Sequence, residues 1–248
     1  MLEHATEEHP WQAGLEAAKL NLLPGALLWV VAGAVVGGYY LSPSVRDLFT
    51  QVAHLRAHYG LGFAIVSTAL FGALLPTLIQ QGFPKLRKAC PRPLRSLPFL
   101  LIFWGLKGIE IDLFYHAQAV IFGDATTISA VLPKMVVDQL IYVPLWAIPT
   151  TVLPFLWKDC GYSLTRTRAA LGTHWYRRRG VPLMLANWGV WVPTVVLIYC
   201  LPLALQLPLQ NIVLCLWSLL VIAMTQKADL RGGGPECLAG SGTIAADA

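Results

Sequence analysis

Four ionisable residues, Lys107, Glu110, Asp112 and His116, stand close together inside one apolar stretch, and Lys134, Asp138 and Gln139 stand inside another. Placing a charged side chain at the centre of a bilayer costs about 2.5 to 3.5 kcal/mol, so such groups mark an ion or solute pathway, a proton relay or an internal ion pair. At about 100° per helical residue, Lys107 and Glu110 fall roughly 60° apart and Asp112 and His116 roughly 40° apart, with the two pairs on nearly opposite faces. One pore lining cannot hold all four. The alternatives are two local neutralising pairs, or a helix that breaks at Gly105 or Gly108 and leaves the rest at the interface. Lys134 and Asp138 are one turn apart and are expected to pair. Lys134 has the reach to snorkel to the interface, whereas Asp138 and Gln139 lie deeper and need internal partners. Pro144, Pro149 and Pro154 follow at intervals of five. Each removes a backbone donor, so this helix should kink, and the freed carbonyls must find neighbours or a polar cavity. It is either a packing helix with an ion pair or a cavity lining.

Other chemistry is sparse. His54 and His58 are four apart, a spacing that suits metal ligands on a helix, but no glutamate follows the first and no third ligand is evident. They read as a solvated loop pair. HExxH, GxSxG, a Walker loop and paired-cysteine sites are all missing, so no enzymatic activity, cofactor or metal is expected. An intramembrane enzyme would need Asp112, His116 and Asp138 to meet in one cavity as acid and base. The five cysteines, Cys90, Cys160, Cys200, Cys215 and Cys237, show no metal-ligand spacing and read as unpaired.

The elements that would carry these residues follow from composition. In 248 residues, 56% are hydrophobic and only 12% charged, against roughly 25% charged in an ordinary globular chain. That leaves too little polar surface for a soluble protein and points to an all-α, multispanning transmembrane helix bundle. Six apolar stretches stand out: 22–41, 61–83, 97–122, 129–156, 182–203 and 208–225. A span needs about 20 residues. The charges in the third stretch leave the number of spans between four and six, because that stretch is re-entrant or split in one alternative.

Basic residues concentrate in two loops, 84–96 (Lys85, Arg87, Lys88, Arg92, Arg95) and 157–180 (Lys158, Arg166, Arg168, Arg177, Arg178, Arg179). With six spans both loops fall on one side, and the positive-inside rule puts that side, with both termini, in the cytosol or matrix equivalent. The net charge of +5 is thus mainly a topology signal. The expected partners are the lipid bilayer and, at the two basic loops, anionic headgroups, with no nucleic acid. The organisation reads as an acidic N-terminal segment 1–21, a first span 22–41, a bundle 61–225 and a disordered tail 226–248, with no cleaved targeting sequence. Gly33 and Gly37 form a GxxxG that admits a homo-oligomer.

Lys134, Asp138, Gln139 and Pro144 form a K-x-x-x-D-Q-x-x-x-x-P run, and Asn187, Trp188, Trp191, Pro193, Pro202, Gln206, Pro208, Asn211 and Trp217 follow in order. This pattern resembles the C-terminal signature of the Mpv-seventeen and peroxisomal-membrane-protein-twenty-two family, over roughly residues 61–225. Val195 and Ile198 stand where that family usually has glutamine and asparagine, Tyr199 takes the place of its usual aromatic residue, and the stretch 22–41 is an addition. The resemblance implies a small multispan protein of an organellar membrane, mitochondrial inner or peroxisomal, that forms or regulates a channel-like conduit for small solutes. The competing expectation is a structural or interaction membrane protein with no transport of its own. For a pathway, Lys134, Asp138 and Gln139 are the first candidates, and Glu110, Asp112 and His116 the second.

Overall fold

The computed structural model describes residues 10–84 and 93–229, and among these there is helix but no strand. Helix α1 (Pro10–Leu41) leads into α2 (Pro43–Tyr59), with Pro43 in the first turn, where its missing N–H costs nothing. Gly60, at φ 51°, makes the corner into α3 (Leu61–Gly82). There follow α4 (Pro93–Phe122), α5 (Ile128–Asp159), a short α6 (Leu164–Leu171), α7 (Tyr176–Tyr199) and α8 (Leu203–Asp229). All six apolar stretches lie mainly in helix. Three helices, α3, α5 and α7, are long and apolar enough to cross a membrane, and a fourth span results if Gly25–Leu41 and α2, bent by 101°, count as one. Length and composition alone therefore give three to four spans. Helix α4 carries three charges in its middle, and the apolar part of α8, Leu203–Leu219, is shorter.

Contacts fix the relative directions. Helix α1 runs parallel to α7, with Trp29 donating to Val190 O at 2.9 Å and Tyr40 donating to Cys200 O at 2.7 Å. Helix α4 runs antiparallel to α3: Gly72 faces Trp104, and Gly108 faces Ala64 and Thr68. At Gly108 a Cβ would sit 2.3 Å from Ala64 O, so the glycine is what allows these two helices to touch. Helices α5 and α7 are antiparallel, and α8 runs beside α3, with Asn211 on Ser67 at 3.0 Å. The core gathers at the α7–α8 corner, where Ile198, Tyr199, Leu201, Leu207 and Leu209 are fully buried. Large apolar side chains such as Val30, Ile102, Leu106, Val120 and Leu145 are more than half exposed. An outer surface so rich in hydrocarbon suits lipid contact rather than water.

Several sequence expectations are corrected. Residues 42–60 are not a loop but the crosswise helix α2, so His54 and His58 are exposed on a helix. Within 157–180, α5 ends at Asp159, α6 is a helix of about two turns and α7 begins at Tyr176, so little of the segment is loop. Lys158 is not a free surface cation there: it lies beside Asp159 and over the Phe155 and Phe99 rings. Helix α4 is continuous through Gly105 and Gly108, which removes the broken-helix alternative. The first element starts at Pro10, ahead of the expected 22, and helix continues to Asp229, past the expected start of the tail at 226. Residues 85–92, with most of the first basic loop and Cys90, and residues 230–248, with Cys237, lie outside the described residues.

Candidate functional site

Helix α5 is unusual along its middle. From Asp138 to Ala147 it is π-helical, and Ile148 donates back to Val143 in the i→i−5 pattern. In that pattern a proline leaves the carbonyl five residues earlier without its donor. Pro144 thus releases Gln139 O and Pro149 releases Pro144 O. Both are taken up by α7: Trp188 Nε1 donates to Gln139 O at 3.0 Å, and the Tyr176 hydroxyl donates to Pro144 O at 2.7 Å. The proline interval of five equals the hydrogen-bond offset of the wider helix, and the freed carbonyls accept from side-chain donors.

Asp138 and Gln139 open this stretch and are both buried. The Asp138 carboxylate accepts from Tyr199 of α7 at 2.8 Å through one oxygen and from Gln139 Nε2 at 2.9 Å through the other. Gln118 of α4 completes the group, its amide nitrogen donating to Lys134 O at 2.9 Å and lying 3.4 Å from the Tyr199 hydroxyl. The expected Lys134–Asp138 ion pair does not form. Tyr199 and Gln139 occupy the carboxylate, and the Lys134 ammonium lies 5.8 Å from the centre of the Tyr199 ring instead, with Asp124 in the preceding turn as the acid whose charge acts on it. Two buried oxygens in this group, Gln118 Oε1 and Gln139 Oε1, have no hydrogen-bond partner among the described residues.

The four ionisable residues of α4 divide as their angular positions require. Lys107 pairs with Glu110 at 2.8 Å and also donates to Thr150 of α5 at 2.6 Å, while Tyr142 of α5 donates to the same Glu110 oxygen. On the other side, Asp112 pairs with Arg56 of α2 at 2.6 Å, with both side chains under a tenth exposed. Arg56 also donates to Leu203 O at the α7–α8 corner, so one guanidinium ties α2, α4 and α8 together. His116 approaches the second Asp112 oxygen at 3.5 Å and is half exposed. Asp112 and Asp138 share no hydrogen bond, and the acid–base constellation of Asp112, His116 and Asp138 does not assemble.

Of the remaining signature residues, Trp191 and Asn211 are buried, and Trp217 packs at the edge of the core. Asn187 and Pro193 stand on α7, Pro202 at the corner and Pro208 on α8. Reading the sequence missed Arg56, Gln118, Tyr142, Tyr176 and Tyr199 as partners. Arg56 alone had a signal: Val45, Phe49 and Ala53 precede it at helical spacing and define the face on which it is buried. Among the described residues, no group of three or more His, Cys, Asp or Glu is placed to hold a metal ion. Two open surface depressions, one lined by Gln51, His54, Leu55 and His58 and one by Leu164, Thr165, Arg168 and Ala169, lie away from Asp138. Compared with known proteins, the chain matches no family model, no curated protein and no solved structure.

Proposed function

We propose that this chain is a six-span helical membrane protein that forms or regulates a conduit for small solutes, held closed in the conformation described here. The six long helices alternate in direction, which supports six passes with α2 lying crosswise at one end. Both basic segments then share a face, where Arg166, Arg168 and Arg177 to Arg179 meet anionic headgroups. The observation that carries the conduit is a file of polar side chains along α5: Lys134, Asp138, Tyr142 and Thr150, at intervals of four and eight. At 1.5 Å per residue it would span about 24 Å, less the shortening of the π-helical middle, which is still most of a hydrocarbon core of about 30 Å. Partners on α4 (Gln118, Glu110, Lys107) and α7 (Tyr199) flank the file at both ends. Ionisable groups such as Lys134 and Asp138 inside a membrane bundle are costly and mark a functional site by default. The resemblance of the K-x-x-x-D-Q run to the Mpv-seventeen and peroxisomal-membrane-protein-twenty-two family supports the same reading and an organellar membrane.

The test is electrical, with purified protein in a planar bilayer and wild type beside Asp138→Asn. The expected result is discrete currents whose conductance or ion selectivity changes with the substitution. A silent bilayer with folded wild-type protein overturns the conduit. A second reading has its own support: the polar file is closed by hydrogen bonds within the chain, as a purely structural or interaction protein would require. That reading expects Asp138→Asn to lower folding stability and leave no flux to alter.

A further inference from the structure

The group around Asp138 has more acceptors than donors. A carboxylate offers about four lone-pair sites, and Asp138 receives two hydrogen bonds, both from neutral donors, Tyr199 and Gln139. Beside it, among the described residues, Gln139 Oε1 has no partner, and Gln118 Oε1 has none although its own amide nitrogen is 3.4 Å from the Tyr199 hydroxyl. Gln118 and Gln139 are each 2% exposed or less. The basic residue one turn away, Lys134, makes no ion pair with Asp138 among the described residues. A buried carboxylate without a counter-charge is costly, and orphaned buried carbonyl oxygens add to that cost. What the group lacks is positive charge bound by oxygen.

We infer that Asp138, Gln139, Gln118 and Tyr199 form a binding site for a small monovalent cation of the sodium type, seated between α4, α5 and α7. Carboxylate and amide oxygens are the donors that hard cations take, and the four side chains come from three helices, so an ion would join them. A water molecule would satisfy the amide oxygens but leave the charge. A proton on Asp138 would remove the charge but supply only one donor. A cation answers both needs. The site does not depend on the conduit, since an ion bound for structural reasons would occupy the same oxygens.

The experiment uses full-length protein in nonionic detergent, where no compartments exist and a failure of solute flux has no bearing. Thermal unfolding is followed as sodium chloride replaces choline chloride at constant ionic strength. The expected result is a saturable rise in Tm with sodium, absent in Asp138→Asn and shifted at least tenfold in midpoint in Gln118→Met. Gln118→Met keeps the size and the helix propensity, so it reports on the site if Asp138→Asn fails to fold. Equal Tm in sodium and choline overturns the inference, as does a sodium response that survives unchanged in Gln118→Met. A Tm that follows pH and ignores sodium assigns the missing charge to a proton and overturns it as well.

Discussion

Breaking the Arg56–Asp112 pair should be among the most damaging single changes to this fold, and breaking both partners should cost less than the sum. The two side chains are 8% and 7% exposed and 2.6 Å apart, so neither charge has water to fall back on. Removing one partner of such a pair costs about 3 to 5 kcal/mol, because the other is left buried and uncompensated. Arg56→Met also removes the hydrogen bond to Leu203 O, and with it the tie between α2 and α8. Asp112→Asn keeps an acceptor facing Arg56, and the guanidinium retains Leu203 O, so its loss should fall at the low end. In Arg56→Met/Asp112→Asn both charges go, and the coupling should be about 2 to 3 kcal/mol, the upper range for residues in direct contact. The assay is equilibrium unfolding in mixed micelles, read by tryptophan fluorescence and helical circular dichroism for the four proteins of the cycle. Additive losses, with a coupling below about 0.5 kcal/mol, would show that the pair does not anchor α2 and would refute the argument.

Three further outcomes follow from the geometry. Tyr176→Phe should cost about 1 to 3 kcal/mol by orphaning Pro144 O, and much less in a Pro149→Ala background, where the restored N–H supplies the donor; equal losses in both backgrounds would rule out the released-carbonyl account. Gly108→Ala should destabilise by about 1 to 3 kcal/mol through overpacking, and by more than Gly105→Ala, whose Cβ would meet Ile65 Cγ2 at 3.3 Å and Ile65 O at 3.8 Å; thermal unfolding of the two variants should rank them in that order. In a cysteine-free background, Asp47→Cys on α2 and Arg168→Cys on α6 should react with an impermeant thiol reagent from opposite sides of sealed vesicles, and labelling from one side would contradict six alternating passes.

What was legible in the sequence was whatever depended on local spacing. Lys107 with Glu110 and Asp112 with His116 meet as helical angles require, and the helices fall where the apolar stretches lie. Less legible was anything decided by competition between distant partners. Lys134 and Asp138 have the right spacing to pair, yet the carboxylate goes to Tyr199, sixty-one positions away, because a hydroxyl fully inside the bundle also needs an acceptor. Arg56 is not singled out by its charge in the sequence. The apolar spacing of Val45, Phe49 and Ala53 makes the segment a helix, and its one inward cation finds Asp112. The prolines of α5 announced carbonyls freed to find neighbours, but not that the helix widens and hands them to α7.

That distinction separates two kinds of buried polar residue. Trp188 and Tyr176 bond carbonyls that prolines release, and the backbone would need some donor there whatever the protein does. Asp138, Tyr199, Gln118 and Gln139 chiefly answer to one another. Replaced together by apolar residues of similar volume, they would leave only Lys134 O without its side-chain donor, and that carbonyl already accepts from the Asp138 N–H. Backbone chemistry therefore does not require them, and a bundle selected for stability alone would gain by losing them, as buried ionic groups commonly cost more than they return. Their presence on three helices at one level is the strongest reason to look for function there. Were the fourfold apolar replacement to fold normally, change neither flux nor cation response, and gain stability, the site would be a packing accident; loss of either response in a folded protein would place the activity at Asp138.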